Sequence, residues 1–131
     1  MSFLPENYEG SWTLANSFER QGIGLHSGKK SKVKVIPSEL PGFYISFSEE
    51  PDNLIAINPD HVRHTPLCTT LDFGNRCIST VEHLLSALVG CGLTHVHIQV
   101  SGEEIPLLDG SALPWVEAIK EVGFASAKTP R

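Results

Sequence analysis

Ile78-Ser79-Thr80-Val81-Glu82-His83-Leu84-Leu85 opens the segment whose reading decides the fold. Carried on to Val89, it sets Val81, Leu84, Leu85, Leu88 and Val89 at i, i+3, i+4, i+7 and i+8, the spacing of a helix with one face in a core. At 100° per residue, His83 lies roughly 170° from the centre of that stripe and Glu82 roughly 90° from it. His83 is therefore not a core histidine of this helix; it faces solvent or a second surface. Two readings of the pair are open. Ser79-x-x-Glu82 fits a capping box, in which the serine oxygen and the glutamate carboxylate satisfy the first free N–H groups of the helix. Alternatively, Glu82 and His83 are a carboxylate and an imidazole presented together for chemistry at a helix start.

Upstream of the helix the periodicity is two. Trp12-Thr-Leu14-Ala-Asn16-Ser-Phe18 reads as a first strand ending near Gly22, and Lys32-Val33-Lys34-Val35 as a strand with one wet face. Phe43–Phe47 gives a third strand, Leu54–Ile57 a short edge piece before Pro59, and Leu67–Phe73 another strand closed by Gly74-Asn75. Downstream, His95–Val100 alternates with Val96, Ile98 and Val100 on its apolar face. Ser111 to about Val122 predicts a second helix, with Ser111 as N-cap, Pro114 in the first turn and Gly123 at C′. Strands come first and helices late. The expected fold is α+β, a two-layer sandwich of one mostly antiparallel sheet with two helices packed on one face. Residues 1–9 read as a loose lead-in, 10–124 as a single domain and 125–131 as a tail or linker stump.

The bulk properties exclude several function classes. The 131 residues are 40% apolar and suffice for one domain with a core of its own. Ten basic against fifteen acidic residues leave a net charge of −5, which argues against nucleic-acid binding through phosphate contacts. No basic amphipathic helix or membrane-length apolar run is present, and no secretory signal is visible, so a cytoplasmic location without membrane insertion is expected. Cys68, Cys77 and Cys91 are odd in number and lack CxxC spacing, which fits free thiols in a reducing compartment.

Other candidate sites have plainer readings. Gly22 to Lys30 fails the phosphate-loop spacing and runs into a strand, so a tight hairpin is the better account. His95 and His97 share one strand face and are expected to face solvent; His61 and His64 fall in an expected loop. Asp109-Gly110-Ser111 is a turn with an N-cap.

Four segments nevertheless resemble a known family in combination. They are Gly22-Ile-Gly24-Leu-His26-Ser-Gly28-Lys29, Leu67-Cys68-Thr69, Ile78-Ser-Thr-Val-Glu82-His83-Leu84, and Glu104-Ile-Pro106-Leu-Leu-Asp109-Gly-Ser-Ala112. In order and spacing, from about Trp12 to Gly123, they resemble the N-terminal domain of the zinc-dependent UDP-3-O-acyl-N-acetylglucosamine deacetylase of lipid A synthesis. The resemblance implies that His83 is a zinc ligand and Glu82 the general base. It also implies that His26 lies near the site and that Leu67 and Cys68 lie near the substrate's acyl passage. A zinc with three protein ligands keeps one position for water, whose pKa it lowers towards about 7.

The departures from the family matter equally. The family has a second, similar domain, which supplies a His-x-x-x-Asp pair to the zinc and a later histidine as general acid; no His-x-x-x-Asp occurs here. Pro66 stands where a larger apolar residue such as methionine is expected. The implied substrate is an acylated UDP-sugar, and the implied partner is the missing second domain or, failing that, another copy of the chain. With one zinc ligand, the isolated chain is expected to be inactive. An alternative is a non-catalytic module that binds the acylated sugar nucleotide or docks with a separate second half. A third reading is a zinc site formed within or between copies from His83 with His26, His61 or His64.

Overall fold

The computed structural model describes residues 4–5 and 10–130, so most of the expected lead-in lies outside the described residues. The elements in chain order are β1 (Trp12–Leu14), β2 (Phe18–Ile23), β3 (Lys30–Pro37), β4 (Gly42–Phe47), β5 (Glu50–Ala56), β6 (Val62–His64), β7 (Thr69–Asp72), β8 (Cys77–Ser79), α1 (Glu82–Gly90), β9 (His95–Ser101), α2 (Leu113–Val122) and β10 (Phe124–Ser126). This is an α+β fold. Its strands form three ladders rather than one sheet: β2-β3-β9-β4-β5, β6-β7-β8, and the pair β1-β10. Within the largest, β4 runs parallel to β9 and every other pair is antiparallel.

Alternation places Val33 and Val35 of β3, and Val96, Ile98 and Val100 of β9, in the core. Leu84, Leu88, Trp115, Ala118 and Ile119 of the two helices belong to the same core cluster, and α1 contacts α2. Burying a side chain of this size contributes about 1.5–3 kcal/mol each.

Several local expectations are corrected. The first expected strand is two, because the chain leaves β1 at Ala15 and joins another ladder at Phe18. Leu67 and Cys68 precede β7 in a turn closed by Thr65 N–H donating to the Cys68 carbonyl at 3.0 Å. The expected loop around His61 and His64 contains β6, which ends at His64 and pairs with β7. The tail expected from Ala125 begins as β10, paired with β1, and Lys128 N–H donates to Glu39 Oε1 at 2.7 Å.

His95, expected on a solvent face, is fully buried. The β1-β10 ladder and the segment after it cover this end of β9. Thr13 Oγ1 donates to the His95 carbonyl, and the ring nitrogens meet Thr94 Oγ1 at 2.7 Å and Thr129 Oγ1 at 3.0 Å. His97 is half-buried against Ser46 Oγ at 2.6 Å, and burial pushes its pKa below the usual histidine value.

The helix starts also differ. Ser79 lies in β8 and Val81 is the N-cap of α1 without a side-chain cap bond, so the capping box does not form. Ala112, rather than Ser111, is the N-cap of α2; Ser111 Oγ accepts from Leu113 N–H at 3.2 Å instead. The buried stripe of α1 is Val81, Leu84, Ala87 and Leu88, whereas Val89 is 61% exposed and Leu85 half-buried.

Candidate active site

The corrected stripe changes where the Glu82–His83 pair points. Measured from its centre, Glu82 lies roughly 150° round the helix and His83 roughly 110°, the reverse of the order expected from the sequence. Both remain off the core face, and both are half-buried.

Glu82 is anchored by one oxygen. Its Oε2 accepts the Thr69 backbone N–H at 3.0 Å, where a capping box would have turned it to its own helix. Val81 N–H donates to the Thr69 carbonyl at 3.2 Å, so the start of β7 and the start of α1 are stitched together on both sides of Thr69. Glu82 Oε1 has no hydrogen-bond partner among the described residues. The carboxylate is thus oriented by the backbone with one oxygen left to act.

His83 stands close enough to Asp109 for its charge to act on that carboxyl group. Asp109 is held below the usual carboxylate range, first by Ser111 Oγ donating at 2.7 Å, then by Ser111 N–H at 2.9 Å, with His83 a smaller contributor. Two residues before Glu82, Thr80 is buried with φ at 62°, a conformation that costs a β-branched residue on the order of 1–3 kcal/mol. Its hydroxyl donates to Glu104 Oε2 at 2.7 Å.

Glu104 also accepts His26 N–H on Oε2 at 3.0 Å and Ser27 N–H on Oε1 at 2.9 Å. Burial works against its charge, but these three donors together with the Ser27 hydroxyl outweigh it and bring its pKa down to about 2. His26 is therefore placed through its backbone, with its side chain exposed.

Of the five residues singled out by sequence, Glu82 and His83 are adjacent. Leu67 and Cys68 are linked to them through Thr69, and His26 through Glu104 and Thr80. Leu67 is 75% exposed, while Cys68 is half-buried with Sγ 3.8 Å from Thr70 Oγ1. Glu104 and Asp109 stood inside a recognised motif, yet sequence reasoning gave neither a role at the site. Glu104's donors lie 77 and 78 residues away for the loop and 24 for Thr80, separations that no local periodicity reports.

A cleft of about 490 Å³ lies beside Glu104, lined among others by His26, Ser27, Lys29, Lys30 and Cys77; Glu82 and His83 are not part of its wall. No three His, Cys, Asp or Glu side chains converge on a possible metal position among the described residues. A catalytic zinc needs three protein ligands, so these residues do not by themselves fit one.

Residues 11–131 match the model of the LpxC family, UDP-3-O-acyl N-acetylglycosamine deacetylase. A UDP-3-O-acyl-N-acetylglucosamine deacetylase of Trichormus variabilis is 41% identical over 116 residues, which is 87% of this chain and 41% of the relative. The protein of the same name from Thioalkalivibrio sulfidiphilus is 39% identical over 121 residues, 91% of this chain and 40% of the relative. The chain thus spans about two fifths of the length of these curated relatives. With the match running from Ser11 through both helices and all four recognised segments, this chain belongs to the UDP-3-O-acyl N-acetylglycosamine deacetylase family.

Proposed function

We propose that this chain is the N-terminal part of a zinc-dependent cytoplasmic enzyme of lipid A synthesis that hydrolyses the 2-acetamido group of UDP-3-O-acyl-N-acetylglucosamine. The observation that carries this reading is the Glu82 carboxylate. One oxygen is fixed by Thr69 N–H while the other has no partner among the described residues, as a base that must accept a proton at a defined point requires. Water adds to the acetamido carbonyl and gives up a proton to Glu82 Oε1. The carbon–nitrogen bond then breaks, the sugar nitrogen takes up a proton, and acetate and the free amine are released.

Among the described residues His83 is the zinc donor, and the remaining donors would come from the part of the relatives' length that this chain does not span. Leu67 and Cys68, on the turn that leads into Thr69, border the path of the acyl chain. His26 stands at the far edge of the substrate site.

The test is a deacetylase assay on the acylated UDP-sugar with added zinc. The 131-residue chain is expected to show no turnover. In a protein of the relatives' full length, Glu82→Ala is expected to lower kcat by about a hundredfold or more, the usual scale for losing a general base. Turnover by the short chain that disappears on Glu82→Ala would overturn the half-site reading. A non-catalytic role, binding the sugar nucleotide or docking with a separate second half, is the second reading; it is favoured by the lack of a three-donor cluster among the described residues.

A further inference from the structure

Glu104 is the only buried carboxylate among the described residues, 4% exposed, and its two oxygens collect donors from two segments far apart in the chain. From the loop after β2 come His26 N–H and Ser27 N–H; from the lead into α1 comes the Thr80 hydroxyl. The backbone around it is fixed as well: Ser79 N–H donates to the Glu103 carbonyl at 2.9 Å and Ile105 N–H to the Ser79 carbonyl at 3.0 Å. Gly24 completes the cage. A Cβ at that position would overlap Glu104 Oε1 and the Ser27 hydroxyl, so space rather than backbone angle requires the glycine.

We propose that Glu104 is a positioning residue that locks the His26 loop to Thr80, and through Thr80 sets that loop's distance from the Glu82–His83 pair. The geometry favours an ionised carboxylate. A backbone N–H approaches each of the two oxygens, His26 N–H on Oε2 and Ser27 N–H on Oε1, and an N–H brings a hydrogen and no lone pair. A glutamine offers one oxygen and turns an NH2 group towards a donor. An alanine leaves two part-buried backbone N–H groups and a buried hydroxyl without their shared acceptor. Thr80 amplifies the effect because its φ of 62° is a strained conformation, two residues before Glu82, that persists only while its surroundings enforce it.

The inference rests on reading Glu82 and His83 as the reacting end, but its test uses no turnover, so the two can fail separately. NMR on the 131-residue chain compares the native protein with Glu104→Ala, Glu104→Gln and Ile105→Ala. Ile105 is a buried neighbour outside the carboxylate cage and serves as the control for general loosening. In Glu104→Ala, amide exchange at His26 and Ser27 is expected to quicken about tenfold or more, the scale of losing a bond to a charged acceptor, and the ring signals of both His26 and His83 to move. Glu104→Gln is expected to fall between, and Ile105→Ala to leave these signals near native. If Glu104→Ala does not fold, Glu104→Gln decides. The proposal is overturned by a folded Glu104 variant with both rings unmoved, or by Ile105→Ala reproducing the changes. Gly24→Ala gives an independent reading: it is expected to destabilise the native protein and to cost less in Glu104→Ala, where only the Ser27 hydroxyl remains in the way. Equal cost in both backgrounds would count against the cage.

Discussion

Glu104 also sets how this protein meets acid. Its pKa is about 2 in the fold against 4.5 for an ordinary glutamate, so the folded state holds on to the ionised form more strongly than the unfolded state does. A carboxylate shifted down contributes stability that is fully present above the unfolded value and is lost as pH falls through the folded one. The window therefore runs from about pH 4.5 to about pH 2, and the contribution is on the order of 3 kcal/mol. Urea unfolding of native protein and Glu104→Ala should show a stability gap that is full above about pH 5 and shrinks by about pH 2.5. A gap that does not change with pH would remove Glu104 from the acid response. The site's three most consequential residues were unequally legible. Glu82 and His83 were visible because they are neighbours on a helix with an apolar stripe. Glu104 was not, because one glutamate before Ile105 and Pro106 carries no sign of the donors that converge on it from the β2 loop and Thr80.

The elements show where periodicity works and where it stops. Alternation located β3 and β9 and the face of each that carries the core, and placed a strand at β4, since a pleat leaves only two sides for a side chain. The α1 stripe was placed correctly at Val81, Leu84 and Leu88 but was extended to Val89 instead of Ala87. Residue type favours the larger apolar side chain; the fold buries whichever side chain its neighbours cover. Leu88→Ala should therefore cost about 2–5 kcal/mol, as expected for a cavity at a fully buried leucine. Val89→Ala should change stability by no more than about 0.5 kcal/mol. Denaturant titration of the two variants checks the rotation of the stripe, and a large loss from Val89→Ala would restore the original one. The same limit explains His95. Alternation assigned it correctly to the face opposite Val96, but that face is covered by β1, which lies more than 80 residues earlier in the chain.

For the molecule as a whole, a chain two fifths the length of its relatives presents a carboxylate beside one imidazole, with no group of three metal donors among the described residues. Calorimetry with zinc should accordingly detect no tight one-to-one binding to the 131-residue chain. Tight binding abolished by His83→Ala would mean that the chain, alone or as copies together, completes a metal centre, and the half-site reading would be wrong. Sequence resemblance supplied the family before any coordinate did. What it did not supply was the ladder order, because strand adjacency depends on which edges meet and not on any one segment. That order has a kinetic consequence. β9 sits between β3 and β4, two strands that both precede it and are joined by a short turn. Each early hairpin, β2–β3 and β4–β5, keeps a raw edge until a strand made much later slides between them. In a growing polypeptide the large sheet can close only once Ser101 has emerged, and closure must span the separation from β4 to β9. Chain collapse should thus be governed by one late, non-local insertion, leaving two adhesive edges open until it occurs.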